Sequence, residues 1–318
     1  MKAVFLDFAT LGPDKLDTST LLQLLPELRF FDSTDRTQTA ARIKDAAFVL
    51  ANKTRLDEPA LSGATRLRYI GLTATGTDNV NLKAAQERNI AVTNIRAYCT
   101  RSVVEHVFGV LLGLSHNLGR YRRAVKEGDW RKSTDFCLLE YPIRELSAMT
   151  LGIVGHGNLG RGVAEMARAF GMSTLIARRR GAPAANDGRI DFAELLQRSD
   201  VVSLHCPLTG ETQNLFGAAE FRLMKRNAFL INTARGGLVD SPALVDALRT
   251  GELAGAAIDV LREEPPVNGD PLLDYDGDNL ILTPHIAWAT VEARQNAIDE
   301  LARNVAAFLE GQERNRVA

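Results

Sequence analysis

Residues Thr150–Arg180 read TLGIVGHGNLGRGVAEMARAFGMSTLIARRR. Leu151–Val154 is a short apolar run suited to a buried parallel strand, and it stops at Gly155, Gly157 and Gly160, a full G-x-G-x-x-G. The spacing predicts a helix over 158–170, with Val163, Met166, Ala167 and Phe170 as its apolar stripe and Gly171 as its C-terminal stop. Ser173–Ala177 supplies a second strand and completes a βαβ unit. In that setting Gly155 permits the tight turn, Gly157 lets the backbone approach a ligand, and Gly160 lets helix and strand pack closely. The free N–H groups of the helix's first turn then face an anion, so the unit reads as a site for the diphosphate of a nicotinamide dinucleotide. A glycine-rich structural turn is the alternative reading of the same residues.

On either side of this unit the chain alternates strand-like and helix-like segments. Before it, candidate strands are Ala3–Phe8, Arg29–Phe31, Ala47–Ala51, Arg68–Thr73 and Ile90–Thr93, and candidate helices are Thr18–Leu25, Thr37–Lys44 and Leu82–Arg88. That series predicts a small flavodoxin-like parallel sheet of its own. After it come helix Phe192–Arg198, strand Val201–His205, helix Ala219–Met224, strands Ala228–Asn232 and Gly255–Val260, and a last strand Leu280–Leu282. Between the strands Ala228–Asn232 and Gly255–Val260, Ser241 and Pro242 form an N-cap and N1 pair for a helix that Gly251 ends. The long amphipathic helix Thr290–Glu310 is expected to pack back on the first sheet. The fold class is therefore α/β, with a Rossmann-type doubly wound parallel sheet (99–285) inserted in a smaller flavodoxin-like substrate domain (1–98 and 286–318).

The bulk numbers agree with an ordinary two-domain protein. At 318 residues the chain exceeds one typical core. A net charge of −1 gives no overall electrostatic case for nucleic acid or membrane surfaces. Cys99, Cys137 and Cys206 are odd in number and lack C-x-x-C spacing, so neither a disulfide framework nor a zinc site is indicated, no metal is expected, and a reducing cytoplasm fits. The N-terminus has no secretory cleavage pattern, and the apolar helix Val103–Leu114 is too short to span a bilayer; it reads as a buried interdomain helix. The basic, aromatic run RYRRAVKEGDWRKS (120–133) reads as a solvated or subunit-facing arm, because one short charge run in a neutral chain makes a poor phosphate track.

Three titratable or charged residues lie in loops that follow strands: Arg235 in INTARGG, Glu264 in DVLREEPP and His285 in LTPHIAW. Ligands of parallel α/β sheets bind at the carboxyl ends of strands, so these positions can converge. Hydride exchange at C2 of a 2-oxo acid needs a cation to hold the carboxylate and polarise the carbonyl, and an acid to protonate the new alkoxide. Arg235 suits the first role and His285 the second, with Glu264 fixing the imidazole tautomer and favouring its charged form. Taken singly, each also has an ordinary structural reading. The turn ATGTDNV (74–80) follows a strand and precedes a helix, so N–H groups near Thr75 and Gly76 can hold a carboxylate; a plain turn is the alternative.

Together GHGNLG, HCPLTGET, INTARGGLVD, AAIDVLREEPP and TPHIAW resemble the consecutive signatures of the D-isomer-specific 2-hydroxyacid dehydrogenases, and the likeness extends through GLTATGTDNV and SVVEH over most of residues 68–310. The resemblance implies that Arg235, Glu264 and His285 are the catalytic trio and that Thr75, Gly76 and Arg235 bind substrate carboxylate. It places Gly155, Gly157, Asn158, Leu159, Gly160, Cys206, Thr212, Thr233, Ala234, Asp259 and His285 at the dinucleotide. It also implies a homodimer built largely on the nucleotide domain. Within the family, GLTATGTDNV, FCLLEYP and HIAW are most similar to the glycerate dehydrogenases, also called hydroxypyruvate reductases; D-lactate and broad glyoxylate reduction stay open. Members that serve as dinucleotide-sensing corepressor scaffolds are the alternative of another class.

Two departures from the family pattern stand out. Arg96 and Ala97 occupy places where relatives usually carry Pro-Gly. Where NAD enzymes of this architecture hold an acidic residue on the adenosine ribose, about twenty positions past the glycines, this chain has Arg178 followed by Arg179 and Arg180. An arginine there meets a 2′-phosphate, and Arg179 and Arg180 can add to that contact, so Arg178 and Arg179 are expected at the cofactor and NADP is the expected cofactor, with NAD still usable; Asp187 or Asp191 reaching the ribose is the alternative.

Overall fold

The computed structural model describes residues 1–183 and 187–318. The chain divides into two compact units, Met1–Cys99 with Trp288–Ala318, and Thr100–Ala287. In the first unit β1 (Lys2–Phe5), α1 (Ser19–Leu24), β2 (Glu27–Phe30), α2 (Arg36–Ile43), β3 (Phe48–Ala51), α3 (Glu58–Ser62), β4 (Tyr69–Leu72), α4 (Leu82–Glu87) and β5 (Ala91–Thr93) alternate along the chain. Their strands form one parallel sheet in the order β2-β1-β3-β4-β5, which is the flavodoxin-like order. β3 and β4 are buried at every residue, as expected of apolar runs covered on both faces.

The first strand is shorter than the sequence pattern predicts. Asp7 ends the apolar run and is itself buried, and its carboxylate accepts from the backbone N–H groups of Asn52, Lys53 and Thr54 at 2.6–2.8 Å. A charge that looks like an interruption therefore fixes the loop after β3. The short α3 was not foreseen, although Asp57 as N-cap and Pro59 in the first turn carry its signal.

In the second unit α5 (Thr100–Ser115), α6 (Leu118–Glu127) and α7 (Asp129–Lys132) precede β6 (Thr150–Val154), α8 (Asn158–Ala169), β7 (Ser173–Ile176), α9 (Phe192–Arg198), β8 (Val201–Leu204), α10 (Ala218–Leu223), β9 (Phe229–Asn232), α11 (Ser241–Thr250), β10 (Gly255–Ile258) and β11 (Leu280–Leu282). The six strands are parallel, in the order β11-β10-β9-β8-β6-β7. The order reverses at β6, so the loops after β7 and β8 flank the turn that follows β6, the place where open α/β sheets bind ligands. The helical core of the glycine unit differs from the expected stripe. Gly160, Val163, Ala164 and Ala167 are the buried face of α8, whereas Met166 and Phe170 are more than a third exposed; Phe170 stacks on Phe108 of α5 with ring centroids 5.1 Å apart. α5 thus packs on α8, β9 and β10 inside this unit. The N-cap of α11 is Asp240 and not Ser241, because it is the Asp240 carboxylate that accepts from Ala243 N–H, at 3.0 Å; Ser241 and Pro242 are then the first two helical residues.

The chain then returns to the first unit as α12 (Val291–Leu309), whose Ile298, Leu301, Ala302 and Val305 join the core beside β3 and β4. Beyond it Val317 N–H donates to Val92 and Val92 N–H to Ala318, covering the edge of β5. No helix among the described residues is long and apolar enough to cross a membrane.

Ala97, one of the two departures from the family pattern, has φ +57°, the left-handed region that glycine occupies without a Cβ penalty. The loop keeps the turn and accepts strain in its place. Ala97→Gly is therefore expected to stabilise the chain by about 0.5–1 kcal/mol, the relief of the left-handed penalty less the added chain entropy of glycine. Urea unfolding of the two chains side by side checks it, and a lower midpoint for the glycine variant would contradict the strain.

Candidate active site

The glycine turn sits at the carboxyl end of β6. Gly155 has φ +98°, and a Cβ on it would meet the backbone of His205 and Cys206 at 2.5–2.7 Å. A Cβ on Gly160 would lie 2.1 Å from the Gly155 carbonyl oxygen, so helix and strand approach as closely as the G-x-G-x-x-G reading requires. Gly157 has open space beside it and caps α8, and Asn158 and Leu159 begin the first turn, where backbone N–H groups lack helical partners. The Asn158 side chain is held by Arg161 at 2.6 Å.

Beside this turn lies a pocket of about 430 Å³ between the loops after β6, β7 and β8. Val154, Ala177, Phe192 and Leu215 give it an apolar floor, and Arg178, Arg179, Arg180, Arg189 and Glu211 line it with charge. Cys206 and Thr212 also line it; burial pushes the Cys206 thiol up to about 11, and Thr212 Oγ1 donates to the Pro207 carbonyl at 2.7 Å. The three arginines are placed differently. Arg179 pairs with Glu211, and Arg180 pairs with Glu220 at 3.4 Å and lies over the Phe192 ring. Arg178 donates to the Arg189 carbonyl at 3.2 Å, and its Nε is buried without a partner. Asp191 caps α9 through Ala193 N–H at 2.8 Å, and Asp187 accepts from Arg189 N–H at 3.1 Å. A shallower depression of about 540 Å³, lined by Arg249, Asp270 and Tyr275 among others, contains none of the predicted site residues.

The loop after β9 carries Thr233, Ala234 and Arg235. Asn232, fully buried at the strand end, accepts from Ala234 N–H at 3.0 Å and donates to the Arg235 carbonyl at 2.9 Å. Sequence reasoning missed it, although an asparagine just before a loop is suited to bonding backbone two residues on. Arg235 Nη1 donates to the Ala234 carbonyl at 2.7 Å. A Cβ on Gly236 would lie 2.0 Å from the Leu261 carbonyl carbon, so only glycine lets this loop close against the segment that leads to Glu264. Thr233 Oγ1 is buried without a hydrogen-bond partner.

His285 and Glu264 meet directly. His285 Nδ1 donates to Glu264 Oε2 at 2.6 Å, and Glu264 Oε1 accepts from Leu261 N–H at 2.9 Å. A carboxylate only accepts, so Nδ1 carries a proton and Nε2 is left for a reacting group. His285 is held in an uncommon backbone state, φ +56°, with its backbone N–H donating to the Asp259 carbonyl at 2.7 Å. Asp259 is 2% exposed, and its carboxylate accepts from Thr283 Oγ1 at 2.5 Å and from the N–H groups of Ile286 and Ala287 at 2.9 Å. It grips the loop on both sides of His285. His106 of α5 stands behind it, 3.3 Å from Thr283 Oγ1, and Ser102 donates to the Ala287 carbonyl at 2.6 Å. His205, by contrast, is partly buried, and burial lowers its pKa to about 4, so near pH 7 it is the neutral imidazole and has no imidazolium proton to give.

The second unit thus brings together Glu264 and His285 by contact and packs the loop of Arg235 against that of Glu264. Thr75 and Gly76 lie in the first unit, after β4. There Thr75 Oγ1 donates to the Ile95 carbonyl at 3.0 Å, and the Thr75 carbonyl accepts from Asn94 Nδ2 at 2.7 Å.

Residues 108–287 match the family described as D-isomer specific 2-hydroxyacid dehydrogenase, NAD binding domain. A glycerate dehydrogenase of Methylorubrum extorquens is 42% identical over 318 residues, 99% of this chain and 98% of that protein. The chain belongs to the D-isomer-specific 2-hydroxyacid dehydrogenase family. A hydroxypyruvate reductase of Blautia hydrogenotrophica is 36% identical over 98% of both chains. Among solved structures, a D-lactate dehydrogenase from Aquifex aeolicus, complexed with NAD and lactic acid, superposes with a TM-score of 0.82 at 32% identity, covering 98% of this chain and 96% of that one. The chain is accordingly an NAD(P)-dependent D-2-hydroxyacid dehydrogenase that reduces 2-oxo acids, of the glycerate dehydrogenase and hydroxypyruvate reductase type. The glycine turn, the charged pocket beside it and the unpartnered Thr233 hydroxyl fit a dinucleotide.

Proposed function

We propose that the chain reduces hydroxypyruvate, and glyoxylate as a second substrate, to the D-2-hydroxy acid, and oxidises D-glycerate in reverse. The observation that carries this reading is the 2.6 Å contact of His285 Nδ1 with Glu264, which leaves Nε2 as a positioned proton donor. When bound, the nicotinamide supplies or accepts the hydride at C2. Arg235 holds the substrate carboxylate and polarises the carbonyl with two donors in one plane. For Thr75 and Gly76 the family resemblance supplies the role, N–H donors to a substrate carboxylate. His285 gives its proton to the alkoxide oxygen, and Glu264 keeps the imidazole in the tautomer that allows it. Gly155, Gly157, Asn158, Leu159 and Gly160 meet the diphosphate, and Cys206, Thr212, Thr233 and Ala234 line the rest of the dinucleotide site. Asp259 serves that site by fixing the loop that bears His285. Similarity to the glycerate dehydrogenase and the hydroxypyruvate reductase supports the substrate. A panel of hydroxypyruvate, glyoxylate, pyruvate and phosphohydroxypyruvate tests it: the highest kcat/KM is expected with hydroxypyruvate, and a clear pyruvate preference would replace it with D-lactate chemistry.

The cofactor reading is NADPH in preference to NADH, supported by Arg178, whose buried Nε has no partner and which pairs with no carboxylate among the described residues. A charge-assisted bond to the 2′-phosphate is worth about 1.5–3 kcal/mol, or roughly 10- to 150-fold in affinity. NADH remains usable because nothing in an arginine repels a ribose. Arg178→Asp is expected to reverse the preference, read as the ratio of kcat/KM for the two cofactors; a parent chain that favours NADH would defeat the reading.

The partner is a second copy of the chain. Phe136 and Leu139, 90% and 79% exposed, and the half-exposed Trp130 form an apolar segment after the basic helices that water alone covers poorly. Sedimentation should give a dimer, and Phe136→Asp with Leu139→Asp should give a monomer. No nucleic-acid or membrane partner is part of this reading, and a cytoplasmic setting fits its free thiols.

A further inference from the structure

The charged pocket contains one carboxylate for which neither the diphosphate nor the 2′-phosphate has a use. Glu211 lies in the loop after β8, Arg178 and Arg179 in the loop after β7, and β6 stands between those two strands. The Arg179–Glu211 pair therefore bridges the two loops that flank the glycine turn, with Arg179 Nε 3.2 Å from Glu211 Oε2 and Nη2 on the same oxygen. Both side chains are about 70% exposed, 73% and 69%, so the pair is held in water and opens at little cost. Arg180 is taken by Glu220, and Arg189 pairs with Asp187 at 3.4 Å. Arg178 is left facing the pocket with its own Nε buried and unpartnered.

We propose that Glu211 is a specificity-determining residue that opposes the 2′-phosphate of the cofactor, and that Arg179 acts as its counterion rather than as a ligand of that phosphate. The proposal rests on the reading that this pocket receives the 2′-phosphate through Arg178. A carboxylate confronting a phosphate dianion in water-exposed surroundings changes affinity by about 3- to 8-fold, less as salt rises. With Arg179 in place the charge of Glu211 is covered and NADPH is accepted. Without Arg179 the carboxylate is bare, and the balance moves toward the phosphate-free cofactor.

The measurement is the dissociation constant of the full-length protein for 2′,5′-ADP and for 5′-AMP by calorimetry, at low and at physiological salt, which needs no hydride transfer. Glu211→Gln is expected to raise the preference for 2′,5′-ADP by about 3- to 8-fold, and Arg179→Ala to lower it by a similar factor. The double variant Arg179→Ala with Glu211→Gln should return to within about twofold of the parent, since a neutral pair has been replaced by a neutral pair. An unchanged preference in Glu211→Gln overturns the proposal, and so does a double variant that stays as low as Arg179→Ala, which would make Arg179 a direct phosphate ligand. Arg178→Ala, measured in parallel, tests the underlying reading by itself. If it leaves the preference for 2′,5′-ADP intact, the phosphate lies elsewhere and that reading falls, whatever the Glu211 comparison gives.

Discussion

Replacing His285 with alanine is expected to lower kcat for oxo-acid reduction by about 10²–10⁴-fold, the usual effect of losing a positioned general acid, with KM for the cofactor little changed. Alternatives within reach of the proton are few. His205 is neutral by burial, and His106 faces the buried Asp259 and Thr283. Glu264→Gln separates positioning from charge: the amide can still accept from Nδ1, but the carboxylate that is 2.6 Å away is gone. Its kcat should fall less than that of His285→Ala. A His285→Ala enzyme with parental kcat would end the assignment. Parental kcat in Glu264→Gln would leave the charge of Glu264 no part in the proton transfer.

Arg235→Lys is expected to cost about 10²–10³-fold in kcat/KM although the charge is retained, comparable to deleting a donor that stabilises a developing oxyanion. The guanidinium is a planar fork able to meet a carboxylate and a carbonyl together, whereas an ammonium offers three donors at one point. The surroundings leave little room for compensation. Asn232 fixes the turn from inside, Gly236 seats it against Leu261, and Arg235 Nη1 is already bonded to the Ala234 carbonyl. The loss should appear in both KM and kcat, because the same group binds the ground state and polarises the carbonyl. Parental kinetics in this variant would mean that another cation holds the substrate.

Much of this was legible along the chain, because it depends on local rules. The glycine turn is local: a left-handed turn at Gly155 and a helix–strand approach at Gly160 both need a residue without Cβ, and the flanking strand and helix announce themselves by periodicity. So is the class of chemistry, since Arg235, Glu264 and His285 each follow a strand in a parallel series. The apolar stripe of α8 was misjudged at Met166 and Phe170, because a helical period names two neighbouring faces and only the packing of β6 and α5 selects one. Ser241 was chosen as a cap over Asp240 for a similar reason: both are good caps, and the choice turns on which side chain reaches Ala243.

The sequence by itself determined two parallel α/β series, a G-x-G-x-x-G turn between strand and helix, and the family to which the chain belongs, with Arg235, Glu264 and His285 each in a loop after a strand. Only the tertiary structure decided how the charges pair. Asp259 turns out to hold the His285 loop, Asp7 the loop after β3, and Arg179 a glutamate from another loop, so three neighbouring arginines that look alike in sequence have three different surroundings. The physical reason is that a charged side chain is defined by what lies within a few ångströms of it. For residues such as Arg179 and Glu211, those neighbours are separated by 32 positions in the chain and brought together by the crossing order of the sheet.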